Sequence, residues 1–332
     1  MLDERKTSIL RAVVQEYITT AQPVGSTHIA DAPGVHVSSA TVRNEMAVLE
    51  QEGYLAQPHT SAGRVPTDKG YRFFVDHMTT PGRLDSAASQ RVGAFFETAH
   101  GRLEELLHQT TNLLAQVTQH AAVVVGPRAE TAIVRSAQIV GLSTRHALVV
   151  AVFSNGTIEN QTIELDGEIS DVRISAASAH LQALMVGHSL EAATQRSSGD
   201  PAVDGLCAVA LQALRKGGTD ESVFVGGASS MARAFDAVDT VRNVLRTLEQ
   251  QYVVVSLVRD ILSRGLTVAI GAEHGVEPLA VCSVVVAPVM VEGDQVGTIG
   301  ILGPTRMDYP QAMATVEVVS DRLARRLGEG AA

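Results

Sequence analysis

Between residues 4 and 20, the apolar positions Ile9, Leu10, Val13, Val14, Tyr17 and Ile18 recur at helical steps, which predicts an amphipathic helix. Gln22-Pro23-Val24-Gly25 stops it. A short second helix is expected over 27–32, capped by Ser26, before Pro33-Gly34 breaks the chain again. A third helix then runs to Gly53, a residue type that readily takes the left-handed conformation past a helix end. Ser38 or Ser39 can cap its start, the hydroxyl accepting from an open backbone N–H of the first turn. At about 100° per residue, Val42, Met46 and Leu49 form one apolar seam of this helix. Ala40, Arg43, Asn44, Ala47 and Gln51 lie towards the other side.

Two short strands, 54–57 and 64–67, flank a polar loop at 58–63. Three helices with a tight break before the last, followed by a small hairpin, are the grammar of a winged helix-turn-helix. Tyr71, Phe73, Phe74 and Val75 are expected to close its core. Thr79-Thr80-Pro81-Gly82 marks a linker. A stripe of Val92, Phe95, Phe96, Ala99, Leu103, Leu106, Leu107, Leu113, Leu114 and Val117 then predicts a long linker helix over 84–120. It either covers a sheet or contacts a second subunit, and the two are compatible.

Strand-like runs follow at 121–125, 133–142, 147–153 and 157–165, with Ser154-Asn155-Gly156 as a hairpin turn. Alanine-rich helical stretches occupy 174–186 and 203–214, separated by the polar run 195–201. Strands resume at 266–270, 279–290 and 295–302, and a last helix covers 311–327. The expected fold is α+β. It has a winged helix-turn-helix over 1–80 and a sheet domain over 84–165 and 236–332, which carries a mostly helical insertion over 166–235.

Composition narrows the setting. Cys207 and Cys282 stand in no metal-ligand spacing, so neither a disulfide framework nor a zinc site is expected. The charged N-terminus lacks a signal core, and the longest apolar runs are too short to span a bilayer. A cytoplasmic protein is expected. The formal net charge of −10 argues against general nucleic-acid stickiness. The first 78 residues hold seven bases (Arg5, Lys6, Arg11, Arg43, Arg64, Lys69, Arg72) against nine acids. Binding to DNA therefore has to come from a local positive face, doubled by symmetry.

The third helix offers such a face, kept low by its two alanines. Arg43 and Asn44 carry the groups that make two-bond contacts to guanine and adenine edges in the major groove. Ser38, Ser39 and Thr41 would position the helix start, and Ala47 and Gln51 complete the face. Arg64 at the hairpin tip, with the hydroxyls of Thr60, Ser61 and Thr67, would hold phosphates or enter the minor groove. Lys69 and Arg72 would add phosphate contacts.

An enzyme is not expected, nor is any cofactor. Gly227-Ala-Ser-Ser-Met231 only grazes a nucleophile elbow, and the chain has three lysines, Lys6, Lys69 and Lys216, none in a phosphate loop. Gly297, Gly300 and Gly303 sit inside a strand, where they suit close packing against a helix. Glu273-His274 reads as a surface turn with no second histidine at ligand spacing. Thr305 with Asp308 reads as a cap for the last helix.

Val37–Gly53 and Ser61-Ala-Gly-Arg-Val-Pro-Thr-Asp-Lys-Gly-Tyr-Arg-Phe-Phe-Val75 resemble the N-terminal part of the HrcA family of heat-inducible transcription repressors. Phe224-Val-Gly-Gly-Ala-Ser-Ser230 and Val296-Gly-Thr-Ile-Gly-Ile-Leu-Gly-Pro-Thr-Arg-Met-Asp-Tyr309 resemble that family's pattern too, in the same order. The resemblance implies a GAF-like sheet domain and an inserted domain that contributes to dimerisation. It implies a homodimeric repressor of chaperone genes on double-stranded DNA, at an inverted-repeat operator of the CIRCE type. It further implies that the chaperonin GroEL keeps the repressor active. An alternative is a regulator whose GAF-like domain binds a small molecule; a weaker one is a dimerising scaffold.

Overall fold

In the computed structural model, residues 2–331 are described except 60–61, 79–81, 83, 100–102, 127–131, 155–157, 166, 168, 195, 218–222, 228–229, 232–234, 236–237 and 266. The expected linker at 79–82 and the turn at 154–156 therefore fall mostly outside the described residues.

The chain opens with α1 (Glu4–Thr20), α2 (Ser26–Ala30) and α3 (Ser39–Gln51). Asp3 caps α1 by accepting from Lys6 N. The second helix is shorter than expected and its N-cap is Gly25, which has no side chain to offer. It ends early because the Asp31 N–H turns back to His28 O. For α3 the cap is Ser38, whose Oγ accepts from Thr41 N at 3.3 Å, and Gly53 follows the helix with φ +79°. Strands β1 (Leu55–Ala56) and β2 (Val65–Pro66) pair antiparallel, with Leu55 opposite Pro66. Val24 and Arg64 exchange two backbone bonds of 2.9 Å, which ties the hairpin to the α1–α2 connection. That approach requires Gly63, where a Cβ would overlap the Val24 backbone. Helix α4 (Asp68–Met78) completes the unit, with Tyr71, Phe74 and Val75 buried and Phe73 partly so.

The expected long linker helix is two helices, α5 (Ser86–Thr98) and α6 (Leu103–Thr118). The chain leaves the helical region at Ala99 (φ −66°, ψ 107°), although the apolar stripe continues through the break. Next come β3 (Ala121–Val125), β4 (Val134–Gly141), β5 (His146–Phe153) and β6 (Ile158–Glu164). They are followed by α7 (Asp171–Met185), α8 (Pro201–Gly217) and β7 (Val223–Gly226). The chain closes with α9 (Val238–Glu249), α10 (Gln251–Ser263), β8 (Val268–Ile270), β9 (Cys282–Val291), β10 (Asp294–Pro304) and α11 (Tyr309–Ala331). Glu292 and Gly293, both at positive φ, form the two-residue turn between β9 and β10.

One five-stranded antiparallel sheet has the order β7-β3-β10-β9-β8, and a separate three-stranded sheet has the order β4-β5-β6. The expected boundaries of the insertion are thus corrected at both ends. β4–β6 pack on α7 and α8 in their own core, built from Val149, Phe153, Leu181, Met185, Ala210 and Leu214. β7, expected inside the insertion, belongs to the larger sheet, where Val123 pairs with Val225. Alternation along a strand shows which face is buried but carries no information on which sheet the strand joins. In the larger sheet both faces are covered. Ala122 and Val124 of β3 turn towards α6 and α11, while Ala121, Val123 and Val125 turn towards α9 and α10. The winged unit shares a core with the first of these layers. Ile9, Met46 and Phe74 belong to the same buried cluster as Leu114, Ile301 and Val316.

The last helix is longer than expected. Asp308 caps it by accepting from Gln311 N, whereas Thr305 contributes its carbonyl to Tyr309 Oη–H. The close contacts of the strand glycines are with other strands and a histidine, not with a helix. A Cβ would press on Val125 O at Gly297, on Val285 O at Gly300 and on the His120 ring at Gly303.

Candidate nucleic-acid interface

Helix α3 buries one seam completely. Val42, Met46 and Leu49 are each 0% exposed, and such burial contributes about 1.5–3 kcal/mol per large apolar side chain. The opposite side is open: Ser38, Ser39, Ala40, Arg43, Asn44 and Gln51 are exposed, and Ala47 is half-buried between them. Thr41 is partly buried, its hydroxyl 3.0 Å from Ser38 Oγ at the helix start. One domain surface thus gathers Ser38, Ser39, Thr41, Arg43, Asn44, Ala47 and Gln51.

Four other expected DNA contacts have different partners. Arg64 lies at the base of the hairpin, not its tip, with Nε 2.9 Å from Glu50 Oε2 on α3. The Thr67 hydroxyl donates to Gly53 O at 2.7 Å and accepts from Gly70 N, so it caps α4 and anchors the end of the α3 connection. Lys69 Nζ donates to Glu52 O at 2.7 Å and lies 4.3 Å from the Tyr54 ring centre, where a cation satisfies the open carbonyls of the α3 C-terminus. Arg72 points away from α3 altogether. Its Nε and Nη2 grip both oxygens of Glu273, Nη1 donates to Asp76 Oδ1, and Nη2 also reaches Val268 O. Thr60 and Ser61 lie outside the described residues.

Two acids flank the exposed face of α3, and each is paired. Arg5 Nη1 stands 3.3 Å from Glu45 Oε1, as Arg64 does with Glu50. These pairings lessen the negative potential beside a surface that would meet phosphates. The sequence pattern missed Glu273, which is no surface turn. Its neighbour His274 is buried, with Nε2 3.0 Å from Leu279 O. No local signal announced Glu273; the Arg72 contact joins positions 201 apart.

The family model described as "HrcA protein C terminal domain" matches residues 104–313, more than half of the chain. The chain belongs to the HrcA family. A heat-inducible transcription repressor HrcA of Nocardioides sp. is 37% identical over 99% of this chain and the whole of that protein. Another, of Kineococcus radiotolerans, is 38% identical over 99% of this chain and all of its own length. HrcA proteins are heat-inducible repressors of transcription, and this member is a negative regulator of heat-shock gene transcription. A solved structure described as a hypothetical protein at 2.2 Å resolution aligns over 99% of both chains, with TM-score 0.66 and 23% identity. That likeness concerns the fold, and it fits a winged helix followed by a GAF-like domain. Among the described residues no helix is long and apolar enough to cross a membrane.

Proposed function

We propose that the protein acts in the cytoplasm as a homodimer, without catalytic activity, that sets two winged helices on an inverted-repeat, CIRCE-type operator. The observation that carries this reading is the exposed Arg43–Asn44 pair on a helix whose other side is fully buried. Arg43 and Asn44 read base edges in the major groove, Ala40 and Ala47 let the helix approach, and Gln51 extends the face. Ser38, Ser39 and Thr41 bring the N-terminal turn to the phosphates.

The dimer reading draws on the three-stranded sheet. One face of β5, Ala147, Val149 and Ala151, is buried against α7 and α8. By register the other face pairs Leu148 with Val140 and Val152 with Ile158, with Val150 between Gln138 and Asn160; Val140 and Ile158 are exposed by 45% and 57%. An open apolar face of this kind suits a second copy of the chain. The part assigned to the chaperonin GroEL rests on family membership.

A gel-shift with an inverted-repeat duplex at two salt concentrations, with and without chaperonin, tests the reading. Selective, salt-dependent binding by a dimer is expected; equal affinity for a scrambled duplex would overturn it. A second reading, a ligand-sensing regulator, draws on one cleft of about 510 Å³ between α1 and the sheet domain, lined by Ile18, His120, Arg306, Asp308 and Gln311. A thermal-shift screen of metabolites on the full chain, followed by operator binding with any hit, separates the two.

A further inference from the structure

The winged helix is not hung on the rest of the chain by a tether. Arg72 of α4 spends all three guanidinium nitrogens at the seam, on Glu273, Asp76 Oδ1 and Val268 O, and its side chain is 24% exposed. The receiving loop is itself fixed. Glu273 Oε2 also accepts from Ile270 N at 2.8 Å, and Glu273 O accepts from Arg264 Nη1 at 3.1 Å. Asp68, at the start of α4, accepts from Ala272 N at 3.3 Å. Gly271, with φ +55°, lies so close that a Cβ there would land on the Asp68 carboxylate. The same seam packs Tyr71 against Tyr309, with ring centres 5.8 Å apart and planes tilted by 51°, and joins Gly82 N to Pro310 O.

We infer that the Arg72–Glu273 pair, with Asp68 seated on the 271–272 turn, is a positioning latch that fixes the angle of the winged helix on the sheet domain. It thereby sets the half-site spacing that the dimer accepts. The inference rests on the operator reading given above. In the latched arrangement Arg43 and Asn44 remain exposed, so the contact orients the recognition face and does not cover it. A twofold assembly with rigid arms fits one separation of half-sites, whereas hinged arms accept several. The forked geometry matters: two guanidinium nitrogens on two carboxylate oxygens fix direction as well as distance.

The test is binding of the full-length protein to inverted repeats that differ only in spacer length, with thermal melting of each variant alongside. The wild type is expected to show a sharp spacing optimum. Glu273→Ala, Glu273→Gln and Arg72→Lys should keep their affinity for a single half-site and lose about tenfold of the spacing preference, within reach of one coupled network. Glu273→Gln keeps the side chain's size and serves if the alanine variant melts early. Arg72→Lys separates the latch from a phosphate contact, since a lysine would still meet a phosphate but cannot fork. A wild-type spacing profile in Glu273→Gln or Arg72→Lys would overturn the latch and leave the operator reading intact. A wild type that bound inverted repeats of every spacing equally well would overturn the latch alone, and one that bound none of them better than a scrambled duplex would overturn the operator reading and the latch with it.

Discussion

Arg64 Nε lies 2.9 Å from Glu50 Oε2, in a pair whose arginine side chain is 16% exposed. On the proposed operator reading, the hairpin's arginine would act on DNA through a neighbour, by offsetting the Glu50 carboxylate on α3. Arg64→Ala should weaken binding to all sequences alike by about 1 kcal/mol or less, the range of partly exposed pairs. Adding Glu50→Gln should recover most of that loss. Fluorescence anisotropy at low salt checks it, and a double variant no better than Arg64→Ala would reinstate a direct phosphate contact.

Arg43→Ala should behave differently. Losing one two-bond base contact costs about 1–3 kcal/mol and relaxes specificity at one operator position. Competition between the operator and single-base variants measures this. Equal weakening on every duplex would contradict the assigned role.

Met46 is fully buried beneath the exposed face. Met46→Ala should lower unfolding stability by about 2–5 kcal/mol through lost burial and the cavity left behind. Urea denaturation gives the value. The remaining folded protein should still discriminate the operator, because no atom of the exposed face is removed.

Burial pushes the His120 imidazole down to about 4, and it also lowers His274. As pH falls below about 6.5, the unfolded chain takes up protons that the folded chain refuses. Stability is thus complete above about 6.5 and drains away between there and about 4, by on the order of 3 kcal/mol for His120. Melting temperatures of wild type and His120→Asn, compared at pH 7.5 and 5, test this. The variant should show the shallower decline; parallel declines would remove His120 from the account.

Val150→Asp places a charge at the centre of the open face of the three-stranded sheet, opposite Asn160 and Gln138. In a monomer the charge stays solvated, but in a dimer joined there it is desolvated. Sedimentation should show monomer, with operator affinity reduced to that of an isolated half-site. A dimer of wild-type strength would move the interface elsewhere.

The winged unit was legible because its signals are local. The Val42, Met46 and Leu49 seam, the Ser38 cap and Gly53 each act within a turn or two of helix. The sheet domains were legible as strands and illegible as sheets, since pairing of β3 with β7 or β10 depends on contacts distant in sequence. The same holds for the site. Arg43 and Asn44 announce themselves by helical phase, whereas the partners of Arg64 and Arg72 are set by tertiary approach. A cation in a sequence looks equally ready for a phosphate or for a carboxylate, and here the carboxylates were nearer.

β3 and β7 are hydrogen-bonded neighbours, Val125 facing Val223, yet the whole β4–α8 unit is threaded between them. Both ends of that unit thus emerge side by side at one edge of the larger sheet. A tight reverse turn could bridge them and leave every ladder bond of the host sheet in place. The architecture permits excision: a shortened chain that keeps its reading head and loses the surface proposed for pairing.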